Sequence, residues 1–274
     1  MNELCAMNGH YRFYQLETFF EKVAAIGFKK AEIWTGPHHY FMDYQGYEDI
    51  GKLQTLEKQY GVKIEVICPE QTNPKPNNMA TNNPQAQKRV EAYFKNAIDV
   101  ASQLQAKFVL VTSGWAFLDE PVDEAWKRSV AMMKKLTAYA SQKHVRLAIE
   151  ALQKDESRLV NSVASLQAYL QDVNDTNLGV CIDFGAMAGA KETIEDYFKV
   201  FGKRIVHVHF VDGKPVGHLA WSDGSRNMQV DLKTLDTFGY EGLLSLESVN
   251  SIYFEKPYVA DQKTMKQYQE CSKE

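Results

Sequence analysis

The sequence predicts an α/β protein in which eight parallel strands close into a barrel, the (β/α)8 or TIM-barrel fold class, as a single domain over residues 1–274. Short apolar runs of strand length recur along the chain, and each is followed by a helical segment. These runs end near residues 34, 68, 112, 150, 183, 209 and 247, at intervals that suit one crossover helix each. With 274 residues, 45% of them hydrophobic, the chain is long enough for one large core.

The first four units follow in order. A strand over 3–7 precedes a helix over 16–26, which Gly27 ends. The second strand ends at Trp34 and is followed by a helix from about 47 to 60. The third strand, 63–68, leads into a polar loop over 69–84, whose length is typical of functional or disordered segments. A helix over 84–104, a strand over 107–112 and a helix over 122–143 complete this half.

The second half repeats the unit. Strands are predicted over 145–150, 178–183, 204–209 and 243–247, with helices over 162–173, 191–202, 231–238 and 259–272. An open doubly wound sheet is the alternative architecture, but it would need a glycine-rich dinucleotide loop, which the sequence lacks.

Composition limits the classes of partner. The net charge of −4 and the pI near 6.0 give no general reason to bind nucleic acid or anionic lipid. No apolar run approaches the roughly 18 residues of a membrane span. The four cysteines (Cys5, Cys68, Cys181 and Cys271) show no CxxC spacing and are interpreted as thiols of a reduced compartment. We therefore expect a soluble cytoplasmic protein with no nucleic-acid or membrane partner.

The strand ends carry the chemistry. In RIVHVHFVDG (204–213), strict alternation places His207 and His209 on the face opposite the apolar residues. Three other runs end in carboxylates, at Glu150, Asp183 and Glu247. Because the carboxyl ends of barrel strands meet at one rim, these residues are expected to converge. The predicted metal ligands are Glu150, Asp183, His209 and Glu247.

The alternation also predicts which other side chains face the barrel interior. Residues two positions before each ligand should also point inward; these are Ala148, Cys181, His207 and Ser245. We interpret His207 as a core residue that pairs with Asp212 or with a backbone carbonyl.

Three carboxylates and one imidazole favour one Mn²⁺, Mg²⁺ or Co²⁺ ion, and Zn²⁺ also fits. Such a centre binds a substrate hydroxyl together with its neighbouring carbonyl and stabilises an enediolate by Lewis acidity. Glutamates on either side of the substrate can remove a proton from one face and return one to the other.

Taken together, VRLAIE, GVCID, IVHVHFVDG and LLSLE resemble, in this order and over essentially the whole chain, the xylose isomerase-like barrel superfamily of sugar isomerases and epimerases. Within it, the loop sequences are most similar to the fructoselysine 3-epimerase group and more distantly to D-tagatose and D-psicose 3-epimerases. The matching loops are NGH, AEIWTGPHHYF, PE with NNMA, EALQKDES and SIYFEKP.

The resemblance implies an isomerase that epimerises a ketose or fructosamine at C3. It carries the four ligand positions over and makes Glu150 and Glu247 the acid/base pair. Glu156 matches a glutamate that contacts substrate. We also expect other residues that follow the strands to bind substrate: His10, Trp34, His39, Glu70, Trp115 and His218.

Two departures from the superfamily pattern concern substrate choice. Ala186 stands where many members have a histidine three residues after the ligand aspartate. The loop HLAWSDG (218–224) stands where relatives carry PGxG and lacks the first glycine. The first departure argues against a simple ketohexose epimerase more than against activity, and the second leaves the shape of the loop open.

The expected partner is a small sugar or a sugar–amino acid conjugate. No glycine-rich phosphate cradle follows strand seven or eight, so a phosphorylated substrate has no support, and a homo-oligomer is left open. The main alternatives are another sugar isomerase or a metal-dependent inosose dehydratase of the same superfamily. An abasic-site endonuclease is disfavoured because Trp34, Cys68 and Thr112 cannot supply its extra ligands. A non-catalytic sugar-binding or regulatory barrel is disfavoured by the intact acid/base glutamates.

Overall fold

The computed structural model describes residues 2–73 and 75–272 and contains a closed barrel of eight parallel strands in chain order. Pairing of the first strand with the eighth closes it. The predicted (β/α)8 fold is therefore confirmed. The strands are Leu4–Met7 (β1), Lys30–Trp34 (β2), Lys63–Cys68 (β3), Phe108–Val111 (β4), Arg146–Glu150 (β5), Leu178–Asp183 (β6), Ile205–His209 (β7) and Leu244–Leu246 (β8).

Helices surround the barrel, and local signals define several of their ends. Asn83 caps one helix by accepting hydrogen bonds from the N–H groups of Gln85 and Ala86, and Gly27 ends another with a φ of 111°. Within 2–73 and 75–272, no helix is both long and apolar enough to cross a bilayer. The helices are Leu16–Ile26 (α1), Gly51–Tyr60 (α2), Pro84–Leu104 (α3), Val122–Gln142 (α4), Val163–Val173 (α5), Phe184–Gly189 (α6), Ile194–Phe201 (α7), Met228–Thr237 (α8) and Pro257–Cys271 (α9).

Two helices differ most from the sequence prediction, while α7 and α8 differ in their starts by three residues. The second was expected to begin near 47, but α2 begins at Gly51 because Met42 and Tyr47 form an antiparallel bridge. Between them, the Asp43 side chain accepts the N–H groups of Gln45 and Gly46 and closes a turn. The short helix α6 was not predicted, and it begins directly after Asp183.

The long loop after β3 is attached to the neighbouring β4 strand, although Pro74 lies outside the described residues. The Gln71 amide donates to Leu110 O and accepts from the Thr112 N–H. The Asn78 side chain accepts from the Trp115 N–H and donates to Trp115 O. These bonds hold parts of the loop against the rim of the barrel.

Side chains inside the barrel alternate with side chains that face the helices, as the sequence predicted. Ala148, Cys181, His207 and Ser245 are all buried. Ala148 and Cys181 pack with Met7, Cys68 and Leu110 in the barrel interior. The residues between them and the ligands belong to the large apolar cluster beneath the helices: Ile149, Ile182, Val208 and Leu246. The barrel interior below the predicted site thus contains small and apolar side chains together with His207.

Candidate metal centre

The ends of β5, β6 and β7 and the residue after β8 bring the four predicted ligands together. One ligand atom from each of Glu150, Asp183, His209 and Glu247 lies within 4.8 Å of the others. His209 Nδ1 is 3.0 Å from Glu247 Oε2 and 3.8 Å from both Glu150 Oε2 and Asp183 Oδ2. Glu247 is half-buried and the other three are buried.

Asp183 is oriented by the helix that follows it. Its Oδ1 accepts a hydrogen bond of 2.5 Å from the Ala186 N–H and so caps α6. Its Oδ2 is buried and forms no well-aligned hydrogen bond within the described chain, although the His218 imidazole lies 3.3 Å away. A buried carboxylate oxygen without such a bond is costly, and a cation bound beside it would remove that cost.

His209 is oriented by a glutamate on β2. Glu32 Oε1 lies 3.2 Å from His209 Nε2, and Glu32 Oε2 lies 2.7 Å from His207 Nε2. All three side chains are fully buried. Burial opposes ionisation of Glu32, but the two imidazoles outweigh it and hold the pKa of Glu32 well below its usual range. With Nε2 of His209 engaged by Glu32, Nδ1 faces the other three ligands and is the nitrogen available to a cation.

The predicted partner of His207 was wrong. His207 contacts Glu32 rather than Asp212 or a carbonyl. Asp212 instead accepts the N–H groups of Gly213, Gly224 and Arg226. Sequence reasoning missed Glu32, although a charged residue between Ala31 and Ile33 in a central strand was a signal, since a buried charge needs a partner.

The donor set fits one divalent cation. Asp183 Oδ2 and His209 Nδ1 are both buried and form no well-aligned hydrogen bond with any described residue, and they lie 3.8 Å apart beside the space shared by the ligands. Three carboxylates this close repel one another unless positive charge lies between them. Oxygen-rich sets of this kind suit Mn²⁺, Mg²⁺ or Co²⁺, while the imidazole also suits Zn²⁺.

The two glutamates have opposite environments. Burial, with the nearby Glu247 and Asp183 charges, raises the pKa of Glu150 well above its ordinary value. Burial also acts to raise the pKa of Glu247, but the His209 and His218 imidazoles against its carboxylate lower it below its ordinary value. One carboxyl therefore favours the protonated form and the other the ionised form.

A second group of potential ligands lies one layer deeper in the barrel, formed by Cys181, His207 and His209. It shares His209 with the upper centre, and Nε2 of both histidines is engaged with Glu32. Burial raises the pKa of the Cys181 thiol, so the thiolate needed for metal binding is disfavoured. The upper group is thus the better candidate.

His218 reaches the centre from the loop after β7. Its Nε2 lies 3.3 Å from both Asp183 Oδ2 and Glu247 Oε2. The close approach depends on Gly185, because a Cβ there would lie 2.9 Å from Gly217 O and 3.3 Å from His218 Cε1. Next to Gly185, the small Ala186 lines the cavity.

The loop HLAWSDG (218–224) contains a residue in the left-handed backbone region. Ser222 has a φ of 80°, in the left-handed region that favours glycine. Its hydroxyl donates to Gln267 Oε1 at 2.7 Å. Trp221 is fully buried and donates through Nε1 to Phe210 O. These contacts hold the loop that presents His218.

A cavity of about 310 Å³ opens above the ligands, at the small end of the range for ligand sites. Trp34, Glu70, Glu156 and His218, all expected to bind substrate, are among its lining residues. Glu156 Oε2 accepts from the Gln153 N–H, and burial raises the Glu156 pKa.

The other three residues expected to bind substrate, His10, His39 and Trp115, are not among those lining the cavity, and their role stays a prediction. His10 is fully buried and contacts Asp261 on α9 at 3.1 Å. His39 is held between the Asn8 amide and Tyr14 O, while its neighbour His38 is exposed. Trp115 packs edge-on against Phe117 at 5.0 Å between ring centroids. In each case packing or a buried hydrogen bond holds the side chain away from the cavity.

Sequence reasoning also missed cationic and amide lining residues. The cavity is lined by Arg12, Gln71, Lys75 and Gln153 as well. These residues lie in loops after strands, a position that was available from the sequence, but their direction depends on tertiary contacts.

Two known proteins with similar sequences are sugar epimerases by name. The chain is 27% identical over 251 residues to the fructoselysine 3-epimerase of Shigella flexneri, which covers 91% of this chain and 90% of that protein. It is 24% identical over 217 residues to the D-psicose 3-epimerase of Agrobacterium fabrum, covering 75% and 72%. Both relatives are isomerases by name, in agreement with the sequence prediction.

Among solved structures, the IOLI protein with a bound zinc atom superposes with a TM-score of 0.78 at 18% identity, covering 98% of this chain and 97% of that one. At this identity the likeness shows the fold. The model of the family described as "Xylose isomerase-like TIM barrel" matches residues 20–268. Since that match spans most of the chain, the protein belongs to the xylose isomerase-like TIM barrel family.

Proposed function

We propose that this protein is a divalent-metal-dependent sugar epimerase that inverts C3 of a ketose or fructosamine by deprotonation and reprotonation. The observation that carries the proposal is the meeting of Glu150 and Glu247 with Asp183 and His209 at the floor of a small cavity. The names of the relatives support the same reaction class. The expected partner is a small sugar or sugar–amino acid conjugate in the cytoplasm.

Glu150, Asp183, His209 and Glu247 would hold the ion. Bound there, Mn²⁺, Mg²⁺, Co²⁺ or Zn²⁺ supplies Lewis acidity that stabilises negative charge developing on substrate oxygens. Asp183 and His209 are oriented in advance by the Ala186 N–H and by Glu32, which lowers the cost of arranging the centre.

Glu150 and Glu247 are the proposed acid/base pair. They come from β5 and from the end of β8, with the two other ligands on the strands between them. Both carboxylates are ionised when they bind the cation, so either can take a proton from the substrate and return it from its own side. We propose that one of the two glutamates removes the proton from C3 of the substrate and that the other returns a proton to the opposite face.

The remaining lining residues are proposed to orient the sugar. Trp34 offers an indole face to the C–H groups of the ring, while Glu70, Glu156 and His218 offer polar atoms to hydroxyl groups. This arrangement of an apolar wall with a few polar groups is typical of small-molecule sites.

The test is a screen of ketoses and fructosamines in D₂O with added Mn²⁺, followed by NMR. We expect deuterium at C3 together with the inverted product. Deuterium at C1 or C2 would indicate aldose–ketose isomerisation instead, and loss of water would indicate a dehydratase.

Two variants test the acid/base assignment. Glu150→Gln and Glu247→Gln should each slow C3 exchange by about 10²- to 10⁴-fold, because each removes a proton-transfer group. Glu241→Gln, an exposed carboxylate just before β8, is the matched control and should exchange at the wild-type rate. Wild-type exchange in either cavity variant would remove that residue from the proposed role.

A further inference from the structure

Arg12 presents a fixed cation to the cavity. It follows the turn after β1 and is among the residues that line the cavity. Its Nε donates to Gly9 O at 3.1 Å. Its guanidinium carbon lies 4.6 Å from the ring centroid of Phe254 and 5.4 Å from that of Trp34. One backbone bond and two aromatic rings therefore hold the guanidinium in place before any ligand binds.

This cation is not neutralised by the protein. Within residues 2–73 and 75–272, no carboxylate forms an ion pair with Arg12, although other arginines are paired, as Arg226 is with Asp231 at 2.8 Å. The other cation of the cavity lining, Lys75, lies 3.2 Å from Glu70 Oε2 and is compensated. An uncompensated, half-buried guanidinium that faces a ligand cavity is suited to an anionic group of the ligand.

The position of Arg12 restricts where that anionic group sits. The carboxylates of Glu150, Asp183 and Glu247 are matched by the proposed ion, and Glu156 lies nearby, so this part of the cavity holds no uncompensated cation for a second anionic group. Arg12 lies after β1, and its guanidinium packs between Trp34 at the end of β2 and Phe254 in the segment after β8. A substrate that spans the cavity can thus place its reacting carbons at the metal centre and an anionic group at Arg12.

We propose that the natural substrate carries an oxyanion group, a carboxylate or a phosphate ester, on a part of the molecule other than the reacting carbon, and that Arg12 binds it through its two terminal guanidinium nitrogens. This inference rests on the proposed function only in assigning the reaction to the metal centre; the binding of an anionic group by Arg12 is argued separately. The planar guanidinium group can donate two parallel hydrogen bonds to the oxygens of either a carboxylate or a phosphate, and its charge strengthens both. A neutral ketose would leave the guanidinium without its partner.

The test compares pairs of substrates that differ only in the anionic group. The pairs are a ketohexose with its 6-phosphate, the fructosamine of glycine with that of methylamine, and the fructosamine of lysine with that of 1,5-diaminopentane. Wild type loaded with Mn²⁺ should prefer the anionic member of at least one pair by kcat/KM, and the preferred pair tells carboxylate from phosphate.

Arg12→Gln should lower kcat/KM for the preferred anionic member by about tenfold to hundredfold, the usual effect of losing a charge-assisted contact, and leave its neutral counterpart within about twofold. Arg12→Lys should have a kcat/KM for the anionic member between those of wild type and Arg12→Gln, because lysine keeps the positive charge but lacks the two parallel N–H donors of arginine. Arg158→Gln is the matched control, since Arg158 is exposed, bonds to Phe117 O and does not line the cavity.

Two results would overturn the proposal: wild type showing no anionic preference in any pair, or Arg12→Gln weakening both members of a pair equally. If no compound is turned over, the proposed reaction fails, and calorimetric binding of the same pairs to Mn²⁺-loaded wild type and Arg12→Gln decides about Arg12. Binding of an anionic member that Arg12→Gln weakens selectively supports the proposal. Equal binding by the two proteins contradicts it. Thermal melting of each variant verifies that it is folded.

Discussion

At the scale of single residues, Glu32 determines which nitrogen of His209 faces the metal centre. Replacing it by glutamine removes the negative charge that both His209 and His207 contact. The Glu32→Gln variant should bind Mn²⁺ about 10- to 100-fold more weakly, as is typical when the partner of a metal-bound histidine is lost. Isothermal titration of the metal-free protein with Mn²⁺ measures the change.

The control for this prediction is Glu65→Gln on β3. Glu65 is also a buried glutamate in a barrel strand, but it pairs with Lys30 and Lys107 rather than with a histidine. The Glu65→Gln variant should have a lower free energy of unfolding than wild type and the same affinity for Mn²⁺. Equal metal affinity of Glu32→Gln and wild type would contradict the orienting role of Glu32.

The shifted carboxyl of Glu150 predicts how pH affects metal loading. Burial and neighbouring carboxylates raise its pKa, so below that raised pKa the metal-free protein holds a proton that must leave before Glu150 can bind a cation. Metal affinity should therefore rise with pH, and loading should release protons. Calorimetric titrations in buffers with different ionisation enthalpies measure the released protons. No dependence on the buffer would show that Glu150 is already ionised.

At the scale of elements, the start of α6 and the loop after β7 fit together through Gly185. A Cβ there would lie 3.1 Å from Asp183 Oδ1, besides its close contacts with Gly217 and His218. Gly185→Ala should therefore displace the His218 loop and lower both metal affinity and C3 exchange. Activity assays and metal titration on the folded variant provide the measurement.

Gly189→Ala, in the same helix, is the matched control. Its Cβ would meet only the flexible Gln153 side chain at 3.4 Å or more, so it should keep activity and gain about 0.5–1 kcal/mol from the better helix propensity of alanine. If both alanine variants behaved alike, the close approach at Gly185 would not matter to the site.

At the scale of the whole molecule, a metal held by four strands should stabilise the barrel. At a free metal concentration of about 100 times Kd, the free energy of unfolding should rise by about 2.7 kcal/mol. For a chain of this size that corresponds to an increase in Tm of about 5–10 °C. Calorimetric melting with Mn²⁺ and with a chelator measures it. Asp183→Asn should lose most of this response, and an unchanged response would place the ion elsewhere.

Much of the barrel was predictable because its signals are local. Strand alternation and helical spacing repeat within a few residues, so six of the eight predicted strand ends, including Cys68 and Asp183, agree with the structure. The convergence of Glu150, Asp183, His209 and Glu247 followed from their place at strand ends. Their catalytic roles, the single domain over 1–274 and the oligomeric state stay predictions.

The sequence by itself determined the architecture, the family and which four side chains could share an ion, since period and position along each strand decide these. Only the tertiary structure decided the surroundings of that centre. The contact of Glu32 with His207 joins residues 175 positions apart, and that of His10 with Asp261 joins residues 251 apart. Such pairs depend on barrel closure and helix docking, which no local pattern encodes. The same reason explains why Arg12 and His218 face the cavity while His39 and Trp115 do not.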